Sequence, residues 1–217
     1  MDQRLTKTPE HQRAYQRLRE MILFGELAPG QPVTILGLID RLESGMTPVR
    51  EALRRLTAEG ALQHQGNRRV VVPQLDKQAL AELAFARLAL EPHLAEVACN
   101  ALTNNTIDKL AVVDAGLNEA IEKGDVTGYL HGNHDFHMML YEQANAPLLM
   151  SLVTSLWLRV GPSLRVVCGR WGTMQLADCH ASALAAMRAR DAAALGQAIR
   201  ADITQGIDLV GASLENA

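Results

Sequence analysis

Apolar positions recur at three- and four-residue intervals through most of the chain, the spacing of amphipathic helices. Between residues 13 and 24, Tyr15, Leu18, Ile22 and Leu23 share one such face, and the turn residues Gly25, Pro29 and Gly30 end it. A second short helix is predicted behind Thr34 as N-cap, running through Leu36, Ile39 and Leu42 to a turn at Glu43, Ser44 and Gly45. A third, PVREALRRLTAEG, is predicted to follow Thr47 as N-cap with Pro48 in its first turn and to stop at Gly60. ALQHQ and RRVVVP then flank Gly66-Asn67, the pattern of a β-hairpin. Helix, helix, turn, helix and hairpin is the element order of a winged helix-turn-helix.

Beyond Asp76 the periods lengthen and no β-rich segment interrupts them. Helices are predicted over 76–101, with a kink at Pro92, and over 106–123, 126–144, 147–168, 173–190 and 191–214. Breakers stand between them at Gly124-Asp125, Asn145-Ala146-Pro147 and Gly169 to Gly172. About six helices joined by short breaks pack most simply as an antiparallel bundle. The fold class is therefore mainly α: a winged helix-turn-helix over residues 1–75, then an all-α bundle over 76–217.

Composition narrows the classes. With 217 residues, 48% hydrophobic and 21% charged, the chain reads as an ordinary globular protein. Its most apolar stretch, LLMSLVTSLWL, is broken by two Ser and a Thr, which argues against a membrane span. The polar opening MDQRLTKTPEHQ has no apolar signal core, so a cytoplasmic location is expected. Three cysteines without CxxC spacing point to neither a disulfide framework nor a thiolate zinc site. The net charge of −3 hides an asymmetry, since residues 1–75 hold 11 Lys and Arg against 8 Asp and Glu. A basic module on an acidic one suggests that the first meets a polyanion.

In PVREALRRL, Val49, Ala52, Leu53 and Leu56 form the buried stripe and leave Arg50, Arg54 and Arg55 outside it. Arg50 and Arg54, four apart, share one face near the positive end of the helix dipole, an arrangement suited to phosphates and guanine edges. The plain alternative is a solvated face with Glu51 and Glu59 as local partners.

The bundle holds His93, His131, His134, His137 and His180. Asn133 and His137 are four apart on one predicted helix. His180 and Asp202 stand at nearly equal distances from the Arg190-Asp191 break, so an antiparallel hairpin rising about 1.5 Å per residue puts them at one level. The four could enclose a metal inside the bundle; the alternative is core histidines and polar caps. Arg87-Glu91 could likewise be a simple i,i+4 pair.

LREMILFGELAPGQPV followed by TPVREALRRLTAEGAL resembles the DNA-binding domain of the GntR family of bacterial transcription regulators. That family usually carries Ser-Arg directly before TPVRE, where this chain has Gly45 and Met46, and the missing Arg is commonly a DNA contact. The resemblance makes Thr47, Arg50 and Arg54 candidate contacts, with Gly66, Arg68 and Arg69 as the wing.

ARLALEPHLAEVA, NHDFHMMLYEQANAPLL and CHASALAAMRARDAAALGQAIRADI resemble segments of the FCD ligand-binding domain of FadR-type regulators. Such domains bind a divalent metal through one Asp and three His, and the metal commonly holds a small carboxylate effector. Carried over by position, the Asp falls on Asn133 and the histidines on His137, His180 and Asp202. Asp202 thus restores the carboxylate lost at Asn133. Two imidazoles with a carboxylate suit zinc or nickel, then iron or manganese, and His134 and Asp135 are neighbours able to substitute. Arg87, which opens the matched R..LE motif, and Arg159 are the candidate effector ligands. The implied function is an effector-responsive regulator that binds a double-stranded operator as a homodimer. The alternatives are a metal-dependent enzyme using His137, His180 and Asp202, or a direct metal sensor.

Overall fold

The computed structural model describes residues 8–66, 69–171 and 178–215. Helix α1 (Glu10–Leu23) buries Ala14, Leu18, Met21 and Ile22. Helix α2 (Ile35–Leu42) starts at Thr34, whose hydroxyl accepts the Gly37 amide at 3.1 Å. Helix α3 (Met46–Ala58) buries Val49, Ala52, Leu53 and Leu56 against α1. Its N-cap is Gly45, not Thr47. Glu10 on α1 takes the capping role, accepting from the Gly45 amide at 2.8 Å and from the Ser44 hydroxyl at 2.9 Å. Thr47 and Pro48 therefore lie within the first turn, where a missing proline N–H costs nothing. Strands β2 (Gln63–Gln65) and β3 (Arg69–Val71) form the wing. A short strand absent from the sequence reading, β1 (Pro32–Val33), pairs with β3 and gives the antiparallel order β1-β3-β2.

Six helices build the second module. Helix α4 (Lys77–Cys99), capped by Asp76, runs on through a buried Pro92. Helix α5 (Asn104–Lys123) begins two residues before its expected start because the Thr103 side chain caps it. Helices α6 (Val126–Glu142) and α7 (Pro147–Trp171) follow, and α7 passes through both Pro162 and Gly169. Helix α8 (Cys179–Ala189) is capped by Asp178, and its predicted beginning at 173 lies outside the described residues. Arg190, in the left-handed region at φ 57°, turns the chain into α9 (Ala192–Glu215), which packs along α4 and α8. No helix among the described residues is long and apolar enough to cross a membrane.

Helix α7 joins the modules by packing against α1 as well as α4, α6 and α9. Gly161 permits the close approach, since a Cβ there would overlap the Leu23 carbonyl. Gly25, at φ 67°, lies against the Arg165 side chain and admits no larger residue. Phe24, the C-cap of α1, stacks its ring on His131 of α6 at 3.5 Å between centroids.

Candidate functional sites: an exposed helix and a buried polar cluster

On α3 the buried stripe leaves Met46, Thr47, Arg50, Glu51 and Arg54 in solvent. Arg54 grips Glu51 through two bonds of 3.0 and 2.6 Å, and the hydrogen bond holds the Glu51 carboxyl below its ordinary range. Arg55 is committed to the module itself, bonded to Glu59 at 2.9 Å with its guanidinium 3.7 Å over the Tyr15 ring. Arg50 makes no ion pair with the described residues and projects freely. Gly66 forms the wing turn at φ 61° and Arg69 opens β3 in an exposed position. Arg68 lies outside the described residues.

The second site is inside the bundle. His137 on α6 and His180 on α8 are almost wholly buried, and Asp202 on α9 retains 20% side-chain exposure. His137 Nε2 lies 3.0 Å from Asp202 Oδ2, and His180 Nε2 lies 3.9 Å from Oδ1. One ligand atom from each of the three falls within a 4.8 Å cluster. Burial raises the Asp202 pKa, but the His137 hydrogen bond and the charges of His137, His180 and Arg87 outweigh it, leaving the carboxyl below its ordinary range. Asn133, one turn before His137, lines the same cavity of about 70 Å³ along with Asp114, Tyr129, Asp178 and Gln205.

Each imidazole is fixed from behind. His180 Nδ1 is 3.1 Å from a carboxylate oxygen of Asp114. That contact leaves Nε2 buried with no hydrogen-bond partner among the described residues. His137 Nδ1 is 2.9 Å from the Tyr141 hydroxyl, which donates to Glu91 Oε2 at 2.9 Å. Burial and Glu91 push the Tyr141 pKa well up, so the hydroxyl keeps its proton. Glu91 also accepts from Arg87 at 2.5 and 3.2 Å and from the Trp157 indole at 3.1 Å. The donor set of two imidazoles and a carboxylate, with an orphaned nitrogen aimed at them, fits a borderline divalent ion held by side chains oriented from outside the ligand shell.

Not every sequence candidate reaches this cluster. Arg87 lines an adjoining cavity with Asn133, Trp157 and Asp202, yet its guanidinium is taken by Glu91. Arg159 points to the other module, where Nη2 donates to the Glu59 carbonyl at 3.4 Å. His134 faces Trp157 and Phe24 instead of the cavity, and its partner Asp135 is exposed. Conversely, Asp114, Tyr141 and Trp157 are not singled out by the sequence reading, which names Glu91 only as the i,i+4 partner that Arg87 does take. The available signal was a carboxylate on a buried stripe: Asp114 sits among Ile107, Leu110 and Leu117, and Glu91 among Leu83 and Leu94.

A three-helix module with a β-wing, joined to a helical bundle with a polar centre, is the architecture of a winged-helix DNA-binding regulator. Residues 10–72 match the bacterial regulatory proteins of the gntR family and residues 82–205 match the FCD domain, and the chain belongs to this GntR/FCD family of transcriptional regulators. It is similar to the HTH-type transcriptional regulator McbR of Escherichia coli (strain K12), 30% identical over 177 residues that cover 80% of each chain. The E. coli McbR/YncC structure superposes with a TM-score of 0.89 at 27% identity, covering 95% of this chain and 99% of that one. A putative GntR regulator from Rhodococcus sp. RHA1 shares the fold, with a TM-score of 0.76 at 21% identity over 94% and 98% of the two chains. The chain is a DNA-binding transcriptional regulator, and the relatives it matches are named as transcriptional regulators.

Proposed function

We propose that residues 76–217 sense a small molecule with the help of one divalent metal, zinc or nickel first, and that residues 1–75 read a pseudo-palindromic operator as part of a homodimer. The observation that carries the sensory half is the orphaned Nε2 of His180, buried beside His137 and Asp202. A buried nitrogen without a partner is costly unless something is bound to it. His137, His180 and Asp202 would hold the ion, with Asn133 as a weaker amide ligand. The ion would supply a positive charge and an open position for a carboxylate. That requirement is strict, because Arg87 is already neutralised by Glu91 and the lining is otherwise acidic, with Asp114, Asp178 and Asp202.

Thr47, Arg50, Arg54 and the wing residues Gly66, Arg68 and Arg69 are the proposed DNA contacts. Arg54 would exchange Glu51 for a phosphate. Signal transfer has a contiguous route, from the His137 ring to Trp157 at 5.3 Å, on to His134 at 5.4 Å, and from there to Phe24 of the DNA-binding module at 5.6 Å. Two modules reading one operator follow from the small surface a single winged helix can bury.

Elemental analysis of protein loaded with zinc, nickel or manganese tests the metal. One ion per chain is expected, lost more completely in His180→Ala than in Asn133→Ala because imidazole is the better ligand for a borderline ion. Absence of all three metals from the wild-type protein overturns the proposal. Loss of DNA binding on metal removal without any organic ligand would make the ion itself the signal.

A further inference from the structure

Met46 stands directly before the TPVRE segment, and it is 45% exposed. It is the first residue of α3, the helix whose N-terminal end enters the major groove in helix-turn-helix modules and touches base edges there. Met46, Arg50 and Arg54 follow one another at four-residue intervals along the solvent face, a row with one apolar position at its leading end. Nearly half of that side chain's surface is open to solvent, whereas Val49 and Ala52 on the opposite side of the helix are buried.

A phosphate contact at this end is disfavoured. The Gly45 amide is engaged by Glu10, whose carboxylate is held ionised below its ordinary range by that bond and by Ser44. It places a negative charge at the helix N-terminus, where a DNA phosphate would otherwise bind. Gly45 has no side chain to stand between Met46 and a base. What remains for a flexible, polarisable side chain is an apolar feature of the groove, and the only one the bases present there is the thymine 5-methyl group.

We propose that Met46 determines specificity by packing on a thymine 5-methyl group, so that this regulator reads a methyl where a charged residue would read a guanine. The four-residue step to Arg50 spans about 6 Å, or roughly two base-pair steps of 3.4 Å. The thymine should therefore lie about two base pairs from the base that Arg50 contacts.

The test uses the full-length protein and an operator selected from random duplexes, with each thymine replaced in turn by deoxyuridine, which removes only the methyl. One deoxyuridine per half-site is expected to weaken wild-type binding about fourfold, the worth of one buried methyl group. The same replacement should have no effect on Met46→Ala, and Met46→Arg should shift the selected base at that position to guanine. Equal binding of every deoxyuridine duplex overturns the proposal, as does a loss that persists unchanged in Met46→Ala.

Discussion

The outer face of α3 and the centre of the bundle treat charge in opposite ways. On α3, Arg54 and Glu51 form a pair 75% and 47% exposed, bathed in water on both sides. In the bundle, Arg87 and Glu91 form a pair 4% and 0% exposed, and the same carboxylate also holds Tyr141 and Trp157. An exposed pair is close to neutral in free energy and can be traded for another partner. A buried pair has lost its water, and removing one member strands the other. The exposed helix is thus chemically open to a polyanion, whereas the buried network holds the His137 imidazole still.

Glu91→Ala should make the sharpest break in that contrast. Leaving Arg87 buried and unpaired is expected to cost about 3–5 kcal/mol, read as a lower urea midpoint, while Glu119→Ala, which breaks the exposed Lys123–Glu119 pair on α5, should leave the midpoint unchanged. Arg50→Ala should do the reverse: operator affinity falls by about 1–3 kcal/mol with no change in the urea midpoint. Binding that is unaltered would remove Arg50 from the interface. Asp114→Leu should lower metal affinity about 10- to 100-fold by freeing the His180 ring, and Asp114→Asn, which retains an acceptor oxygen, should recover most of it. A cobalt spectrum identical to wild type in Asp114→Leu would show that the ring needs no such support.

The smallest effect concerns Glu10. Its pKa is lowered by the Gly45 amide and Ser44, so the folded form binds its proton less readily than the unfolded chain. The contribution is complete above the ordinary glutamate range and is lost as pH falls through the lower folded value. The difference in thermal midpoint between wild type and Glu10→Gln should therefore narrow on acidification; a gap that widened would contradict this assignment.

Much of the fold was legible because its signals are local. Leu18 and Ile22, or Val49, Ala52 and Leu56, announce their helices by spacing alone, and Thr34 announces its cap. What escaped was set by residues far apart in sequence. Thr47 looked like the cap of α3, but Glu10, 35 positions before the Gly45 amide that it accepts from, performs that role. Strand β1 needed β3 to exist, and two residues carry no period. In the site, His180 and Asp202 could be placed opposite each other by counting from a turn. Asp114, 66 positions from His180, could not, since no count relates α5 to α8. Arg159 looked like an interior cation, yet the partner that claims it is a main-chain carbonyl in the other module.

The seam along α7 bears on how such regulators can be recombined. Gly161 lies against the Leu23 carbonyl, Gly25 against Arg165, and Arg159 and Ser155 both donate to the Glu59 carbonyl. These contacts join the last turn of α1 and the end of α3 to one face of one bundle helix. A chimera that grafts a foreign DNA-binding module onto this bundle would keep the linker and lose the fit. To function as a unit, the transplant must carry a glycine where Gly25 meets Arg165 and present main-chain carbonyls where Leu23 and Glu59 meet Gly161 and Arg159, so one stripe of α7 decides which modules can be joined to it.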